Sequence, residues 1–169
     1  MSKYSYAKDT RTDSKYKSDF YNGTHNEKLA IEQFLIDLHL KGRPLYQYKK
    51  NLDKEFQTEN GNWDYKPDYI IYTEREVPIE VKVQMTNLKD TIDLKCYQTY
   101  NLKNNRGFFL YCLDTHYAII KPDKVMQYEA VISERFNGKK IFQVNTKDIQ
   151  WIAWLHKPNF KKYENRLSR

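Results

Sequence analysis

The segment Val77-Pro78-Ile79-Glu80-Val81-Lys82-Val83 alternates apolar and charged residues with a period of two. Only an extended strand turns that alternation into two unlike faces: Val77, Ile79, Val81 and Val83 point one way, and Glu80, Lys82 and Gln84 point the other. The apolar face must be buried, so the strand has to belong to a sheet covered on at least that side. Pro78 adds the condition that its missing N–H falls where no ladder bond is needed, such as a strand start or an edge.

The preceding segment Asp68-Tyr69-Ile70-Ile71-Tyr72 reads as a partner strand, joined to the first by the charged turn Thr73 to Glu76. If the turn centres near Thr73 to Arg75, antiparallel pairing sets Asp68 almost opposite Glu80, with Cβ atoms about 5 Å apart. Two carboxylates and an ammonium then converge outside one hairpin. A slip of register would bring Asp64 into the place of Asp68. The plainer reading of Glu80 and Lys82 is a charged ladder on an exposed edge strand, which contributes little to stability.

Around this hairpin the chain supplies helices and further strands. Thr24 followed by Glu27 is a capping-box pattern, and Ala30, Ile31, Phe34 and Leu38 recur at helical spacing, which predicts a helix from about Asn26 to Leu40 stopped by Gly42 and Pro44. Tyr46 to Lys50 and Phe56 to Asn60 read as strands or a hairpin arm, with a turn at Glu59 to Asn62. Asn87 to Asn101 suits a helix over the sheet. Phe108 to Leu113 and Tyr117 to Ile120 are short apolar runs that fit a buried central strand and its neighbour. Asp123 to Ile132 reads as helical, Ile141 to Val144 as a last strand, and Thr146 to Leu155 as a helix capped by Thr146. The sum is an α/β (α+β) domain with a central mixed sheet of four or five strands flanked by helices.

At 169 residues the chain has the size of one domain. Residues 1–22 lack apolar periodicity and mix both charge signs, which predicts a flexible arm; 23–155 form the domain, and 156–169 read as a basic tail. Lys plus Arg number 29 against 22 Asp plus Glu, a formal net charge of +7 that favours polyanionic partners. Cys96 and Cys112 lack metal-ligand or paired spacing and read as buried thiols in a reducing compartment. No segment has the apolar length of a membrane span and the N-terminus lacks a secretory pattern, so the expected location is cytoplasmic.

Hydrolysis of a phosphodiester calls for a hard divalent cation held by a few carboxylates, with a cation nearby to stabilise the charged phosphate. Asp68, Glu80 and Lys82 meet that demand. With Pro67-Asp68 followed by Glu80-Val81-Lys82, the chain resembles the PD-(D/E)xK nuclease superfamily over about Thr24 to Leu113. The resemblance implies a restriction-endonuclease-like core: a helix, a motif-bearing hairpin, a helix and a further strand. It implies that Asp68 and Glu80 bind Mg²⁺, with Mn²⁺ able to substitute, that the Val81 carbonyl completes the metal shell, and that Lys82 is the catalytic lysine. Glu27 matches an acidic residue that members carry in the first helix, although its capping position explains it equally well, and Glu32 is the fallback. His25, beside Glu27, reads as exposed in the first turn.

Other spellings of the motif fail on context. Asp93-Leu94-Lys95 falls in the helix read over Asn87 to Asn101, Asp13-Ser14-Lys15 lies in the arm, and Pro122-Asp123 has no strand-borne acid-x-Lys after it. The implied activity is Mg²⁺-dependent DNA endonuclease cleavage to 5′-phosphate and 3′-hydroxyl ends, in a restriction-like, homing or junction-resolving role. Gln84, Lys95, Gln98, Lys49, Lys50, Lys54, Lys103, Arg106 and the tail are the candidates for contacting DNA. A double-strand cut by so small a subunit implies a homodimer or a higher symmetric oligomer. Two other readings stand beside it: a noncatalytic nucleic-acid-binding module on the same fold, and a protein-interaction domain with an aromatic surface.

Overall fold

The alternating segment becomes strand β5 (Glu76–Val83), an interior strand in a computed structural model that describes residues 13–51, 55–57 and 63–162. The chain runs through α1 (Asp13–Leu40), β1 (Gln47–Lys50), β2 (Glu55–Gln57), β3 (Trp63–Tyr65) and β4 (Tyr69–Tyr72) before it, and β6 (Thr91–Lys95), α2 (Cys96–Asn104), β7 (Phe108–Cys112) and β8 (His116–Ile120) after it. Then follow α3 (Pro122–Val125), β9 (Ala130–Ser133), β10 (Lys139–Asn145) and β11 (Ile152–Ala153).

A six-stranded mixed sheet has the order β1-β4-β5-β7-β8-β11, with β5 antiparallel to β4 and parallel to β7. On one face, Val77, Ile79 and Val81 pack with Ala30, Ile31, Phe34 and Leu35 of α1. On the other, Phe109, Ala118 and Ile120 pack under Leu102 of α2 and Val125 of α3, together with Ile92, Leu94, Phe142 and Val144 of a three-stranded sheet ordered β6-β10-β9. The main sheet is therefore covered on both faces. Within this frame Pro78 lies one position before the β5–β7 ladder begins at Ile79 and Phe108. It needs no edge strand. Gly107 closes the crossover from α2 to β7 against it: a Cβ there would stand 2.3 Å from the Pro78 carbonyl oxygen.

Several elements differ from the sequence reading. Helix α1 begins at Asp13, so Thr24 and Glu27 lie inside it and cap nothing. A polar stretch gives no periodic signal, yet extends a nucleated helix at little cost. Thr91 to Lys95, read as helix, is a strand whose Ile92 and Leu94 are buried while Asp93 and Lys95 are half-buried. That is a period-two pattern masked by the helix beside it. The helix expected over Asp123 to Ile132 lasts four residues, after which Ala130–Ser133 pairs with β10. Thr146 starts a single 3-10 turn in place of a helix. Its hydroxyl bonds to the Lys89 and Asp90 carbonyls at 2.8 and 3.0 Å, tying the turn to the loop before β6.

The segment after Leu155 docks rather than trails. Phe160 is buried against the α1 layer, and Asn26 of α1 exchanges two 2.7 Å hydrogen bonds with the Lys161 backbone. Cys96 and Cys112 are buried free thiols. No described helix is long and apolar enough to cross a membrane. The first twelve residues, the turn Glu59 to Asn62, Lys54, and the tail from Tyr163 lie outside the described residues.

Candidate active site

Strands β4 and β5 pair with Tyr69 opposite Ile79 and Ile70 opposite Pro78, and their turn runs through Thr73 to Arg75. Carried one residue further, this register sets Asp68 opposite Glu80, as the hairpin reading requires. Asp64 belongs to β3, opposite Phe56 in a separate two-stranded sheet, so no slip brings it into the place of Asp68.

Both carboxylate residues are withdrawn from solvent, Asp68 at 1% exposure and Glu80 at 3%. The amide of Asp68 donates to Glu80 Oε2 at 3.3 Å, and the amide of Val81 donates to Asp68 Oδ2 at 3.0 Å. From α2 above, Gln98 Nε2 donates to Glu80 Oε1 at 3.2 Å. Lys82 Nζ lies 3.6 Å from the same oxygen, with 29% of its side chain exposed. Buried carboxylates accepting this many donors are held in fixed orientations. The exposed-ladder reading fails, because β5 is an interior strand and Glu80 is covered.

The surroundings are polar along one line. Parallel pairing sets Tyr111 of β7 beside Lys82, and the Tyr111 hydroxyl donates to Gln84 Oε1 at 2.5 Å. Gln84 Nε2 in turn donates to the Asn87 carbonyl at 2.9 Å, so this side chain is held by the loop beyond β5. At the other side, Asn51 at the end of β1 bonds the Asp68 carbonyl through its amide at 2.9 Å and the Pro67 carbonyl through its side chain at 2.7 Å. Lys50 is therefore next to the start of β4, and Lys49 is exposed on the same edge strand. Tyr111 and Asn51 escaped the sequence reading. Tyr111 was the one hydroxyl in an apolar run, but only the β5–β7 register gives it meaning.

Glu27 is half-buried on α1. Burial raises the Tyr69 hydroxyl well above the usual tyrosine range, and the charges of Glu27 and then Asp68 raise it further, so both carboxylates act on one buried hydroxyl. Among the described residues, however, no group of three or more His, Cys, Asp or Glu side chains is gathered to hold a metal ion. Glu27 is not brought into a three-ligand set with Asp68 and Glu80. Glu32, the fallback, accepts from the Tyr48 hydroxyl at 2.6 Å. His25 is half-buried beside Glu27.

The donors present suit a hard cation: two buried carboxylate residues stand across one hairpin, oxygen donors of the kind that Mg²⁺ takes. The competing Asp93-Leu94-Lys95 lies on a strand rather than a helix. It is excluded by its partners, since Asp93 faces Gln143 and Lys95 faces Ile141, with no acid across the ladder. Of the other candidates for DNA contact, Lys103 is paired with Asp123. Arg106 lies against the β4–β5 turn, its carbonyl accepting from Arg75 Nη2 at 2.7 Å, at the opposite end of β5 from Lys82. An apolar hollow of about 190 Å³ between α1 and the main sheet, lined by Phe34, Leu38, Ile71 and Val77, is on the face away from Glu80. Neither a protein-family model nor a curated protein matches the chain.

Proposed function

We propose that this chain is a divalent-metal-dependent DNA endonuclease of the PD-(D/E)xK type, with a restriction-endonuclease-like core. The observation that carries the reading is the buried pairing of Asp68 with Glu80 across β4 and β5, with Lys82 at 3.6 Å on the same strand face. The net charge of +7 is consistent with a polyanionic substrate.

Mg²⁺, or Mn²⁺ in its place, would be held by Asp68, Glu80 and the Val81 carbonyl, and when bound supplies the Lewis acidity that activates water and offsets charge on the phosphate. The chain's own residues do the rest. The amides of Asp68 and Val81 fix the two carboxylates, and Gln98 orients Glu80 from α2. Lys82 is the partly exposed member, so its ammonium meets the phosphate first, stabilises its charge and orients the attacking water. Hydrolysis leaves 5′-phosphate and 3′-hydroxyl ends. Cutting both strands calls for two such sites, hence a symmetric dimer or higher oligomer.

The test is incubation of the protein with supercoiled, linear, branched and single-stranded DNA, in Mg²⁺ or in EDTA. Cleavage that disappears in EDTA and in Lys82→Ala is the expected result. Full activity of Lys82→Ala, or inactivity on every DNA with both Mg²⁺ and Mn²⁺, overturns it.

One observation favours a second reading, a noncatalytic nucleic-acid-binding module. Asp68 and Glu80 are almost wholly enclosed, and their oxygens already accept from backbone amides and Gln98. DNA binding without cleavage in the same assay would select it.

A further inference from the structure

One turn of chain before Gln98, which bonds Glu80, lies a cluster where cations sit over aromatic rings. Lys95 Nζ lies 5.2 Å from the Phe136 ring centroid and 5.9 Å from that of Tyr97. Lys139 Nζ is 5.3 Å from Tyr97, and the Arg135 guanidinium is 5.3 Å from Phe136. Lys140, next to Lys139 on β10, points to the other face of that strand, where its charge pulls down the Cys96 thiol that burial raises. The residues come from three elements: the end of β6, the first turn of α2, and the β9–β10 hairpin, whose tip turns through Asn137 and Gly138 at positive φ.

Elsewhere Lys41 stands over a ring, 5.6 Å from the Tyr117 centroid, whereas here several cations and two rings are gathered together. Lys28, Lys103 and Lys157 are each paired with a carboxylate. Among the described residues, Arg135, Lys139 and Lys140 form no such pair. The acids close by in sequence are Asp93, half-buried on β6, and Glu134, exposed beside Arg135. Arg135 and Lys139 therefore keep their charge, and the rings hold them without neutralising it. A flat, multiply charged chain with stacking groups is the partner that such a surface fits.

We propose that Lys95, Tyr97, Arg135, Phe136 and Lys139 form a nucleic-acid-binding tract that seats the sugar–phosphate backbone flanking the cleavage position. It rests on the nuclease reading only for where the tract leads, since Lys95 precedes the helix whose Gln98 bonds Glu80. The tract extends the substrate path over the three-stranded sheet, beyond the part of the chain that carries the motif.

Equilibrium binding of labelled duplex and single-stranded DNA in EDTA tests this without cleavage. Arg135→Ala/Lys139→Ala is expected to weaken binding about tenfold or more at about 0.1 M salt, and to lower the slope of log affinity against log salt by about 2. Phe136→Ala, which keeps every charge, is expected to weaken binding several-fold with little change in slope. The control is Lys121→Ala/Lys124→Ala, which removes the same charge beyond the end of β8, at the opposite end of the sheet from Lys82. The proposal is overturned if the Arg135/Lys139 variant binds within about twofold of the parent, or if the control loses as much. Polyglutamate displacing DNA at equal charge concentration overturns it in favour of an acidic protein partner. Failure of cleavage in Mg²⁺ with tract-dependent binding intact sinks the nuclease reading and leaves the tract standing.

Discussion

The amide nitrogen of Asp68 donates to Oε2 of Glu80, twelve positions along the chain, at 3.3 Å. With the Val81 amide donating to Asp68 Oδ2, it ties the two buried acidic residues together across the hairpin. Two carboxylates buried across one hairpin repel one another, and a bound divalent cation would offset that repulsion. Asp68→Asn keeps an oxygen for the Val81 amide and removes one charge, so in EDTA the variant should be more stable by on the order of 1 kcal/mol, a rise of a few degrees in Tm. Mg²⁺ should raise Tm of the parent and leave the variant unmoved. A variant less stable than the parent in EDTA, with no effect of Mg²⁺ on either, would remove the charge-repulsion account.

Gly107 and Gly23 should respond to alanine in opposite directions. At Gly107 the new Cβ meets the Pro78 carbonyl at 2.3 Å and Leu102 Cδ2 at 2.7 Å, and the first of these is backbone that cannot swing aside. The cost is about 1–3 kcal/mol or more. At Gly23, inside α1, the Cβ meets nothing within 4 Å, so Gly23→Ala should add up to about 1 kcal/mol through helix propensity. Urea midpoints at constant m-value measure both. Equal and opposite failure of the two signs would mean that the α2–β7 crossover and the α1 extension are differently packed.

The hairpin that carries the site was legible because strand alternation and turn position are local: Val77 to Val83 sorted the faces, and the turn at Thr73 to Arg75 set Asp68 opposite Glu80. What surrounded it was not. Asn26, read as the start of a helix, is a buried residue inside a longer one, engaged with a backbone 135 positions away. Thr146 has the composition of a cap, and its hydroxyl goes to the β6 loop instead. Thr91 to Lys95 alternates as a strand, but five residues running directly into a helix share one apolar pattern with it. Gln98 could be placed in a helix near phosphates, yet its bond to Glu80 depends on how α2 crosses β5. Such long-range partners leave no spacing to read.

Alkaline pH should weaken the fold through Tyr48. Burial, then its hydrogen bond to Glu32 and that residue's charge, push its hydroxyl up from 10.0 to about 12. The folded chain therefore holds the proton more tightly than the unfolded one. The stabilisation is complete below about pH 10 and is lost as pH rises toward 12. Tyr128 behaves alike, chiefly through its hydrogen bond to Asp148. Urea midpoints measured from pH 8 upward should fall in that window for the parent, and fall less for Tyr48→Phe and for Tyr128→Phe. A variant that tracks the parent through the window would show that its tyrosine does not couple to folding.

Removing the Asn26 side chain should release the C-terminal segment. Asn26 is fully buried, its Oδ1 accepts from the Lys161 amide, and its Nδ2 donates to the Lys161 carbonyl, both at 2.7 Å. Asn26→Ala leaves a donor and an acceptor without partners beneath the segment that brings Phe160 into the core. The cost is about 1–3 kcal/mol for each group that stays buried. It is smaller if the segment peels away and lets water satisfy them, and then Lys161 and Lys162 become open to trypsin. Asn26→Asp keeps the acceptor but turns a carboxylate oxygen toward the Lys161 carbonyl, so it should release the segment as well. Limited proteolysis followed by mass measurement separates the two outcomes, while circular dichroism reports whether the rest stays folded. Cleavage after these lysines at the parent's rate, with unchanged stability, would show that Asn26 does not anchor the segment and that Phe160 holds it alone.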